Sequence, residues 1–551
     1  MFTNRNYSEN PKINILIESI LDELCPFLEE QAREISDLTA IGKALGTGQD
    51  ISTLLEMILS IARRFTQADG GTLYLVDKQN RFLHFHVIFN ESLGISRSGS
   101  DIDFPPVPLY LTDGSTNLAN VSSHVFHTGK IVNIKDVYDT GQFEFAGTRK
   151  FDRSLNYRSK SMVVIPMTNH EDEIIGILQL INALDLKTRT PRPFSTDAQE
   201  KAAALASQAS VILTQQTLIL EMKELFEAFI KAIAVSIDEK SKHTGGHIQR
   251  VTELSMMISE KINQDRDFFK DVVLSVDQIN ELRIAALMHD TGKITTPDHI
   301  MNKSSRLETV FDRIELIRTR WELFRTSLKL AAAEEKLARA QDPDFRDKAE
   351  QIDLRCEKEI RLLDRELDIL EQINQCKTRL TQTHIDGFRQ IRDKAAEITG
   401  SSVPYLTEEE KECLSITNGT LTESEREVIN SHADLTERIL NKLPWPKKMA
   451  KIPAIAGAHH EKLDGSGYPL KLDKSSLNLQ ARILAISDIF EALSAQDRPY
   501  KNPMPLSRTK VILEQMGKDG LLDREIIDLF FRDGVHIAYA GKHLSPDQID
   551  L

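Results

Sequence analysis

An apolar run that ends in adjacent ionisable side chains constrains the fold of this chain more than any other feature. Residues 284–288 are all apolar, as expected of a buried helix, and lead directly into His289 and Asp290, with Lys293 shortly after them. Burying these side chains without partners would cost several kcal/mol, which a bound ion would compensate. A hydrogen-bonded network of aspartate, histidine and lysine is the competing explanation. The choice depends on whether other ligand-type residues occur on predicted helices elsewhere.

Such residues recur in the second half of the chain. His459 and His460 begin a loop with two carboxylates, two glycines and a tyrosine–proline pair. Asp488 is embedded in an apolar helical pattern, and His432 follows a helix that opens with a capping sequence at residues 422–425. A charged surface turn would explain the double-histidine loop alone. Because imidazole and carboxylate are the usual ligands of divalent transition metals, the joint pattern predicts one metal site assembled from separated segments.

A second histidine pair precedes these segments. His243 and His247 are four residues apart, so a helix would place both imidazoles on one face. His247 joins the predicted ligand set. For His243, metal binding and a supporting or exposed position both stay open.

Length and composition bound the class of protein. A chain of 551 residues is too long for one core, so several domains are expected. The net charge of -14 argues against binding a nucleic-acid polymer. The four cysteines are widely separated and form no CxxC pair, which favours a reducing cytoplasm. Neither a signal peptide nor a membrane-spanning run is predicted.

The first third predicts an α+β domain. Apolar residues recur at helical spacing from residue 13 to about residue 64, and strand patterns follow at residues 71–76, 82–89, 161–167 and 174–182. The last two strands flank a polar turn and predict an antiparallel hairpin at the middle of a sheet. A separate helical segment is predicted at residues 1–36.

This order of helix, strands and long helix resembles a GAF domain over residues 37–217. The signature of cyclic-nucleotide-binding GAF domains remains only as Asn182, Phe194 and Asp197, with Ala183 and Ala198 at the positions of lysine and glutamate. The resemblance therefore implies a pocket for an unknown small ligand other than a cyclic nucleotide. A GAF fold used only for dimerisation is the alternative.

A long helix is predicted next, from residue 197 to about residue 238, with a linker helix at residues 218–240. Met222, Leu225, Phe229 and Ala232 keep a 3-4-3 spacing that suits contact between two helices. We therefore expect a homodimer.

The second half resembles the HD-GYP family, bacterial HD-domain phosphohydrolases that hydrolyse cyclic di-GMP. The matching motifs are His289-Asp290-x-Gly292-Lys293, then His459-His460-Glu461-x-x-Asp464-Gly465-x-Gly467-Tyr468-Pro469, then Asp497-Arg498-Pro499-Tyr500-Lys501. The resemblance implies an all-α catalytic domain at residues 241–540 and a phosphodiesterase that forms linear pGpG, and a further hydrolysis to GMP stays open. A non-catalytic cyclic di-GMP receptor and an enzyme for another cyclic dinucleotide, such as cyclic GMP-AMP, are the alternatives.

The resemblance also implies roles for individual residues. Two divalent ions, iron or manganese, would be held by His247, His289, Asp290 and Asp488 on one side and by His432, His459 and His460 on the other. A third ion at His243 stays open. His289, Asp290 and Lys293 are the implied catalytic residues, and the implied substrate-binding residues are Lys293, Gly467, Tyr468, Pro469, Arg498 and Lys501. Glu461 and Asp464 would orient the loop or support the ligands.

An insertion separates His289 from His432. Apolar residues from Leu307 to Ala331 follow a 3-4 alternation, which resumes from Ile360 to Leu370 after a break at residues 342–344. Residues 304–419 are therefore predicted to form an inserted helical-hairpin coiled coil without ligand clusters. Its role stays open: it is either an exposed spacer or an element for dimer contact, partner docking or covering the site.

Overall fold

The computed structural model describes residues 51–139, 141–240, 246–398, 401–495 and 504–550, together with scattered positions between residues 10 and 40. The chain forms two compact units, Met1–Leu225 and Phe226–Leu551. The predicted N-terminal segment and the helical pattern before residue 51 lie largely outside the described residues.

The first unit is built around an antiparallel sheet. Its main strands follow the order β3-β2-β1-β7-β6-β5, with short β4 on β2 and short β8 on β7. The elements are α1 (Ile51–Thr66), β1 (Ala68–Val76), β2 (Phe82–Asn90), β3 (Ile95–Ser98), β4 (Val107–Pro108), α2 (Val121–Thr128), β5 (Val132–Ile134), α3 (Ala146–Leu155), β6 (Met162–Thr168), β7 (Ile174–Leu184), β8 (Pro191–Arg192) and the first part of α4 (Thr196–Lys240). The predicted strands and the β6–β7 hairpin beside the central strands are confirmed.

Helices cover one face of this sheet. Leu55 and Ile58 of α1 and Leu205 and Ala209 of α4 are buried in one core with sheet residues such as Leu178. The predicted long helix is confirmed, because α4 is continuous from Thr196 to Lys240. Ser195 caps its first turn by accepting a hydrogen bond from the Ala198 backbone, 3.1 Å away.

Two of the three remaining GAF-signature residues, Asn182 and Phe194, serve the fold. Asn182 is buried, with its side-chain oxygen 2.6 Å from the Lys160 nitrogen and its amide nitrogen 2.8 Å from the Arg158 oxygen. Phe194 packs in the core, whereas Asp197 is exposed.

The second unit is largely helical. It contains the end of α4, followed by α5 (His247–Gln264), α6 (Val276–Met288), α7 (Asp298–Met301), α8 (Ile314–Ala338), α9 (Phe345–Gln375), α10 (Gln382–Ile391), β9 (Ala395–Ile398), β10 (Ser401–Pro404), α11 (Glu408–Leu414), α12 (Glu423–Asn430), α13 (His432–Leu440), α14 (Ile452–Gly457), α15 (Leu479–Ser494), α16 (Leu506–Lys518), α17 (Arg524–Arg532) and α18 (Val535–His543). Helices α5, α6, α14 and α15 share its main core.

The insertion contains the two expected long helices, α8 and α9, but also more structure than the sequence predicts. Helix α10, the β9–β10 hairpin and α11 complete a separate core around Trp321 and Phe324. The expectation that the first helical stripe starts at Leu307 is wrong. Helix α8 begins at Ile314, whose backbone N–H donates to the Asp312 carboxylate. Val310, which belongs to the predicted stripe, is 91% exposed.

Among the helices in the described ranges, none is long and apolar enough to span a membrane.

Candidate metal centre

The candidate site lies where five helices of the second unit begin, end or cross. Helix α5 begins with His247, and α6 ends just before His289 and Asp290. Helix α13 begins with His432, whereas His459 and His460 follow α14. Asp488 lies within α15 and is 7% exposed. The expected burial of His289 and Asp290 is confirmed.

A close approach of two backbones holds α13 beside the His289 segment. A Cβ atom on Gly292 would lie 2.0 Å from the carbonyl oxygen of His432, so only glycine fits here. The hydroxyl of Thr436 accepts from the Gly292 backbone at 2.9 Å and donates to the His289 carbonyl at 2.8 Å. These contacts fix the distance between the two segments.

Three histidines are oriented by the same local hydrogen bond. The Nδ1 atoms of His289, His432 and His459 lie 2.8, 2.6 and 2.6 Å from the carbonyl oxygen three residues earlier in each case. A carbonyl oxygen can only accept, so each Nδ1 carries the proton. Each Nε2 then presents a lone pair to the centre of the site, as a metal-binding imidazole requires.

The first ligand group is formed by His247, His289 and Asp290. The Nε2 atoms of His247 and His289 lie 3.6 and 3.3 Å from Oδ2 of Asp290. Asp488 adjoins this group, with its Oδ1 3.3 Å from Nε2 of His247. Nε2 of His289 is buried and has no hydrogen-bond partner among the described residues.

The second ligand group is formed by His432, His459 and His460. Nε2 of His432 and Nε2 of His459 are 3.2 Å apart, and both carry lone pairs in the orientation described above. Oδ1 of Asp290 lies 3.5 Å from Nε2 of His432, so this carboxylate faces both groups. Nδ1 of His460 lies 3.8 Å from Oδ2 of Asp488.

The pKa shifts of His459, His460, Asp290 and Asp488 favour cation binding. For His289, burial opposes protonation, but Asp290 and Asp488 raise its pKa. Burial lowers the pKa of His459 well below its usual range and lowers that of His460 to about 4. Burial would raise the pKa values of Asp290 and Asp488. Neighbouring histidines, and Lys293 beside Asp290, instead hold both well below the ordinary value.

These features fit divalent metal ions. Two facing lone pairs 3.2 Å apart repel each other unless a cation or a proton lies between them, and burial disfavours the proton. The unpartnered Nε2 of His289 would gain a partner in the same way. The donor set of imidazoles and carboxylates suits iron, manganese or zinc.

His247 is held differently from the other histidines, by a residue that the sequence analysis missed. Its Nδ1 lies 2.5 Å from Oε2 of Glu491, whose other oxygen accepts from Nε of Arg250 at 2.8 Å. Burial opposes protonation of His247, but Glu491 and Asp488 raise its pKa to about 10. Glu491 follows Asp488 by three residues on α15, and this spacing was the available signal that both face the site.

The double-histidine loop is stabilised by one of its own carboxylates. Glu461 is buried and accepts from the backbone nitrogens of Leu470 and Leu472 at 2.6 and 3.0 Å. A Cβ atom on Gly467 would lie 2.5 Å from Cα of Glu461. Tyr468 then packs on His460, with ring centroids 4.8 Å apart. Asp464 is exposed and accepts from the Ser466 backbone.

The remaining predicted residues divide into one near the site and several that lie outside the described residues. Nζ of Lys293 donates to Oδ2 of Asp290 at 2.6 Å, and its side chain is 25% exposed. Arg498, Lys501 and His243 lie outside the described residues. Gly246 has φ 80° and α5 begins at His247, so the structure does not test whether a helix would place His243 and His247 on one face.

The first unit contains a separate cavity of about 530 Å³ next to its sheet. Aromatic side chains, including Tyr74, Phe85 and Phe104, form much of its wall. Gln179 contributes a polar group, whose oxygen accepts from the Tyr74 hydroxyl at 2.8 Å.

Family comparisons match both units. The GAF domain model matches residues 50–213, and two HD domain models match residues 244–373 and 410–526. The "3'3'-cGAMP-specific phosphodiesterase 3" of Vibrio cholerae is 45% identical over 97 residues, which are 18% of this chain and 20% of that protein. The "Cyclic di-GMP phosphodiesterase" of Thermotoga maritima is 29% identical over 181 residues, 30% of this chain and 48% of that protein.

The chain therefore spans between about a fifth and about half of the length of these relatives. Among solved structures, the GAF domain from Acinetobacter phosphoenolpyruvate-protein phosphotransferase aligns with 34% of this chain and 98% of its own, at 14% identity and a TM-score of 0.26.

Proposed function

We propose that this chain, which carries a GAF domain followed by an HD domain, is a metal-dependent phosphodiesterase that hydrolyses cyclic di-GMP. HD domains are metal-dependent phosphohydrolases. The observation that carries the proposal is the pair of adjacent ligand groups with Asp290 facing both of them. The catalytic domain is proposed to span residues 241–540, with the insertion at residues 304–419 inside it.

The proposed ligands divide between two ions, iron or manganese. His247, His289, Asp290 and Asp488 would hold one ion, and His432, His459 and His460 would hold the other. Divalent ions bound there would supply an activated water nucleophile and would neutralise charge on the phosphate. A third ion at His243 stays a prediction.

Side chains of the protein would position the substrate beside these ions. Lys293 uses one ammonium hydrogen for Asp290, and the others can be donated to a phosphate oxygen. Tyr468, partly exposed beside His460, can stack on a base. Gly467 and Pro469, the neighbours of Tyr468, are proposed to contact the substrate as well. Arg498 and Lys501 are the further proposed phosphate-binding residues.

The proposed reaction opens the cyclic dinucleotide. The oxygen of water bonds to phosphorus, the bond from phosphorus to the ribose 3′ oxygen breaks, and that oxygen leaves as a hydroxyl after gaining a proton. The product is linear pGpG, and a second hydrolysis would give GMP.

The names of the relatives make 3′3′-cGAMP the second candidate substrate. One relative is named for cyclic di-GMP and another for 3′3′-cGAMP, so both dinucleotides belong in the same assay. Protein reconstituted anaerobically with Fe(II) or Mn(II) is incubated with each, and the products are separated by chromatography. We expect pGpG from cyclic di-GMP, and no product with Asp290→Ala. Absence of turnover of both dinucleotides with both metals would contradict the proposed function.

We further propose that the cavity of the first unit binds a small, largely apolar ligand that regulates the enzyme. Its aromatic wall and the polar Gln179 support a ligand with a flat apolar body and a hydrogen-bonding group.

A fluorescent apolar probe, anilinonaphthalene sulfonate, tests this cavity. Gly147 lines it, and no atom lies near the position that a Cβ would take there, so Gly147→Trp should fill the opening and reduce probe binding. Gly141→Trp, which also has open space but lies outside the cavity lining, is the control. Equal binding by both variants would contradict the proposal.

We also propose that the protein is a homodimer through α4. Met222, Leu225 and Phe229 are 71%, 71% and 58% exposed, although they follow the spacing of a two-helix seam. Light scattering of the wild-type protein should give twice the mass of one chain. The double variant with Leu225→Asp and Phe229→Asp should give the mass of a single chain. A monomeric wild-type protein at micromolar concentration would contradict this interface.

A further inference from the structure

An exposed row of leucines runs along helix α8 of the insertion. Leu316, Leu323, Leu330 and Leu337 follow one another at intervals of seven residues, and they are 46%, 47%, 53% and 78% exposed. Single exposed leucines are ordinary on protein surfaces. At a constant interval, however, these four residues form one continuous stripe, about 32 Å long on a helix. We call them the leucine stripe.

The leucine stripe lies on the side of α8 that faces away from the core of the insertion. Ile317, Trp321 and Phe324, on the other side of α8, are buried in that core with residues of α9. Leucine at every seventh residue, with a second set of small side chains between, is typical of the seam between two coiled-coil helices. Three small and exposed residues take these intermediate positions: Thr319, Thr326 and Ala333.

The charges beside the leucine stripe change sign along the helix. A charged residue precedes each leucine, with glutamates in the first half and lysines in the second: Glu315, Glu322, Lys329 and Lys336. In an antiparallel pair of such helices, the acidic half of one lies beside the basic half of the other. When Leu323 of one copy lies opposite Thr326 of the other, Glu322 lies beside Lys329. The charges therefore complement a second copy of the same helix.

Within one chain, three of these charges take part in surface ion pairs. Glu315 pairs with Arg318, and Glu322 pairs with Arg325, three residues further along α8 in each case. Lys336 pairs with an aspartate of α9. The side chains of the two glutamates are 63% and 66% exposed. Exposed pairs contribute little to stability, so these side chains can exchange partners at a contact between copies.

We propose that the leucine stripe is a self-association surface, through which α8 pairs antiparallel with α8 of a second copy of this chain. This contact is separate from the proposed α4 interface, and it depends neither on the metal site nor on the proposed activity. Because the seam is short, we expect a dissociation constant on the order of tens of micromolar. Two such surfaces on one chain allow dimers formed through α4 to assemble further as the concentration rises.

Sedimentation velocity of the full chain tests this surface. The starting protein carries Leu225→Asp and Phe229→Asp, which remove the proposed α4 interface, and is measured from about 1 to about 100 micromolar. We expect a fraction of dimer that rises with concentration. Adding Leu323→Asp and Leu330→Asp should abolish the dimer, because each copy would then bury two carboxylates in the seam.

A matched control uses two leucines of α9. Leu354 and Leu362 are 59% and 49% exposed but lie outside the leucine stripe, so Leu354→Asp with Leu362→Asp should leave the fraction of dimer unchanged. Circular dichroism checks that each variant keeps its helices. The proposal is overturned if the starting protein forms no dimer, if changing the stripe leaves the fraction of dimer the same, or if the control loses the dimer equally.

Charge reversal tests the pairing without placing charge on the leucine stripe. In the starting protein, Glu322→Lys should weaken self-association severalfold because lysines then face each other, and Lys329→Glu should do so because glutamates face each other. A mixture of the two variants has opposite charges at both places, so it should associate as tightly as the starting protein. Single variants that associate normally, or a mixture that associates no more tightly than its components, would overturn the antiparallel arrangement.

Discussion

At the scale of single residues, the sequence identifies the candidate ligands but not their orientation. Spacing and residue type predict which histidines and aspartates gather. Which ring nitrogen faces the centre depends on carbonyl groups three residues away, which every helix end can offer. Glu491 was missed because a glutamate on a helix is usually a solvated residue, and only the fold brings it to His247.

The close approach at Gly292 gives a stability prediction. Gly292→Ala places a methyl group against the His432 carbonyl, so the two segments must separate, at a cost of about 2 to 3 kcal/mol. Gly541→Ala, in α18 with nothing near its Cβ position, should instead stabilise the protein by about 0.5 to 1 kcal/mol. Chemical denaturation measures both. Similar unfolding free energies for the two variants would show that Gly292 and the His432 carbonyl are less closely packed than the structure indicates.

Glu491 gives a prediction about metal affinity. Glu491→Gln removes the charge that orients His247 and pairs with Arg250, so affinity for one ion should fall about 10- to 100-fold. Glu514→Gln, in an exposed pair of 4.0 Å with Lys510, is the control. The measurement is Mn(II) titration of the apoprotein, and identical titration curves for the two variants would count against the role of Glu491.

At the scale of elements, long periodic helices were predictable and short elements that complete a core were not. The sequence predicts α4, α8 and α9 because their patterns extend over many turns. Helix α10 and the strands β9 and β10 are too short for such a pattern, and tertiary contacts around Trp321 stabilise them. The start of α8 was misplaced because Leu307 is buried without being helical.

The core of the insertion should unfold without affecting the metal centre. Trp321 is buried and donates to the Leu363 carbonyl at 2.9 Å, so Trp321→Ala should cost about 3 to 5 kcal/mol. Leu337→Ala, at a position 78% exposed, should change stability by less than about 0.5 kcal/mol. Circular dichroism during heating, with metal analysis of the folded protein, checks both expectations. Loss of metal from Trp321→Ala would show that the insertion supports the site.

At the scale of the whole molecule, the sequence predicts the two domain types and their order but not what each one binds. The GAF resemblance predicts a pocket, while the chemistry of its wall depends on side chains brought together from several strands. The gathering of these histidines and aspartates into two adjacent groups was predictable because five motifs each carry distinctive residue types. The contact of α4 with the Lys293 segment was not, because Lys240, which donates to the Ile294 carbonyl, belongs to no motif.

Metal removal should affect the two units differently. An ion that binds only the folded second unit stabilises it by about 4 kcal/mol at a thousand times its dissociation constant. Chelation should therefore lower the melting transition of that unit and leave the transition of the first unit unchanged. Calorimetry with and without chelator resolves the two melting transitions. An unaltered thermogram would argue against a contribution of the ions to stability.

The most direct test of the central claim is anomalous X-ray diffraction from crystals grown with Mn(II). The account predicts two manganese peaks, one bonded to His247, His289 and Asp290 and the other to His432, His459 and His460. Manganese peaks elsewhere on the chain, with neither group bonded to a metal at saturating Mn(II), would contradict it.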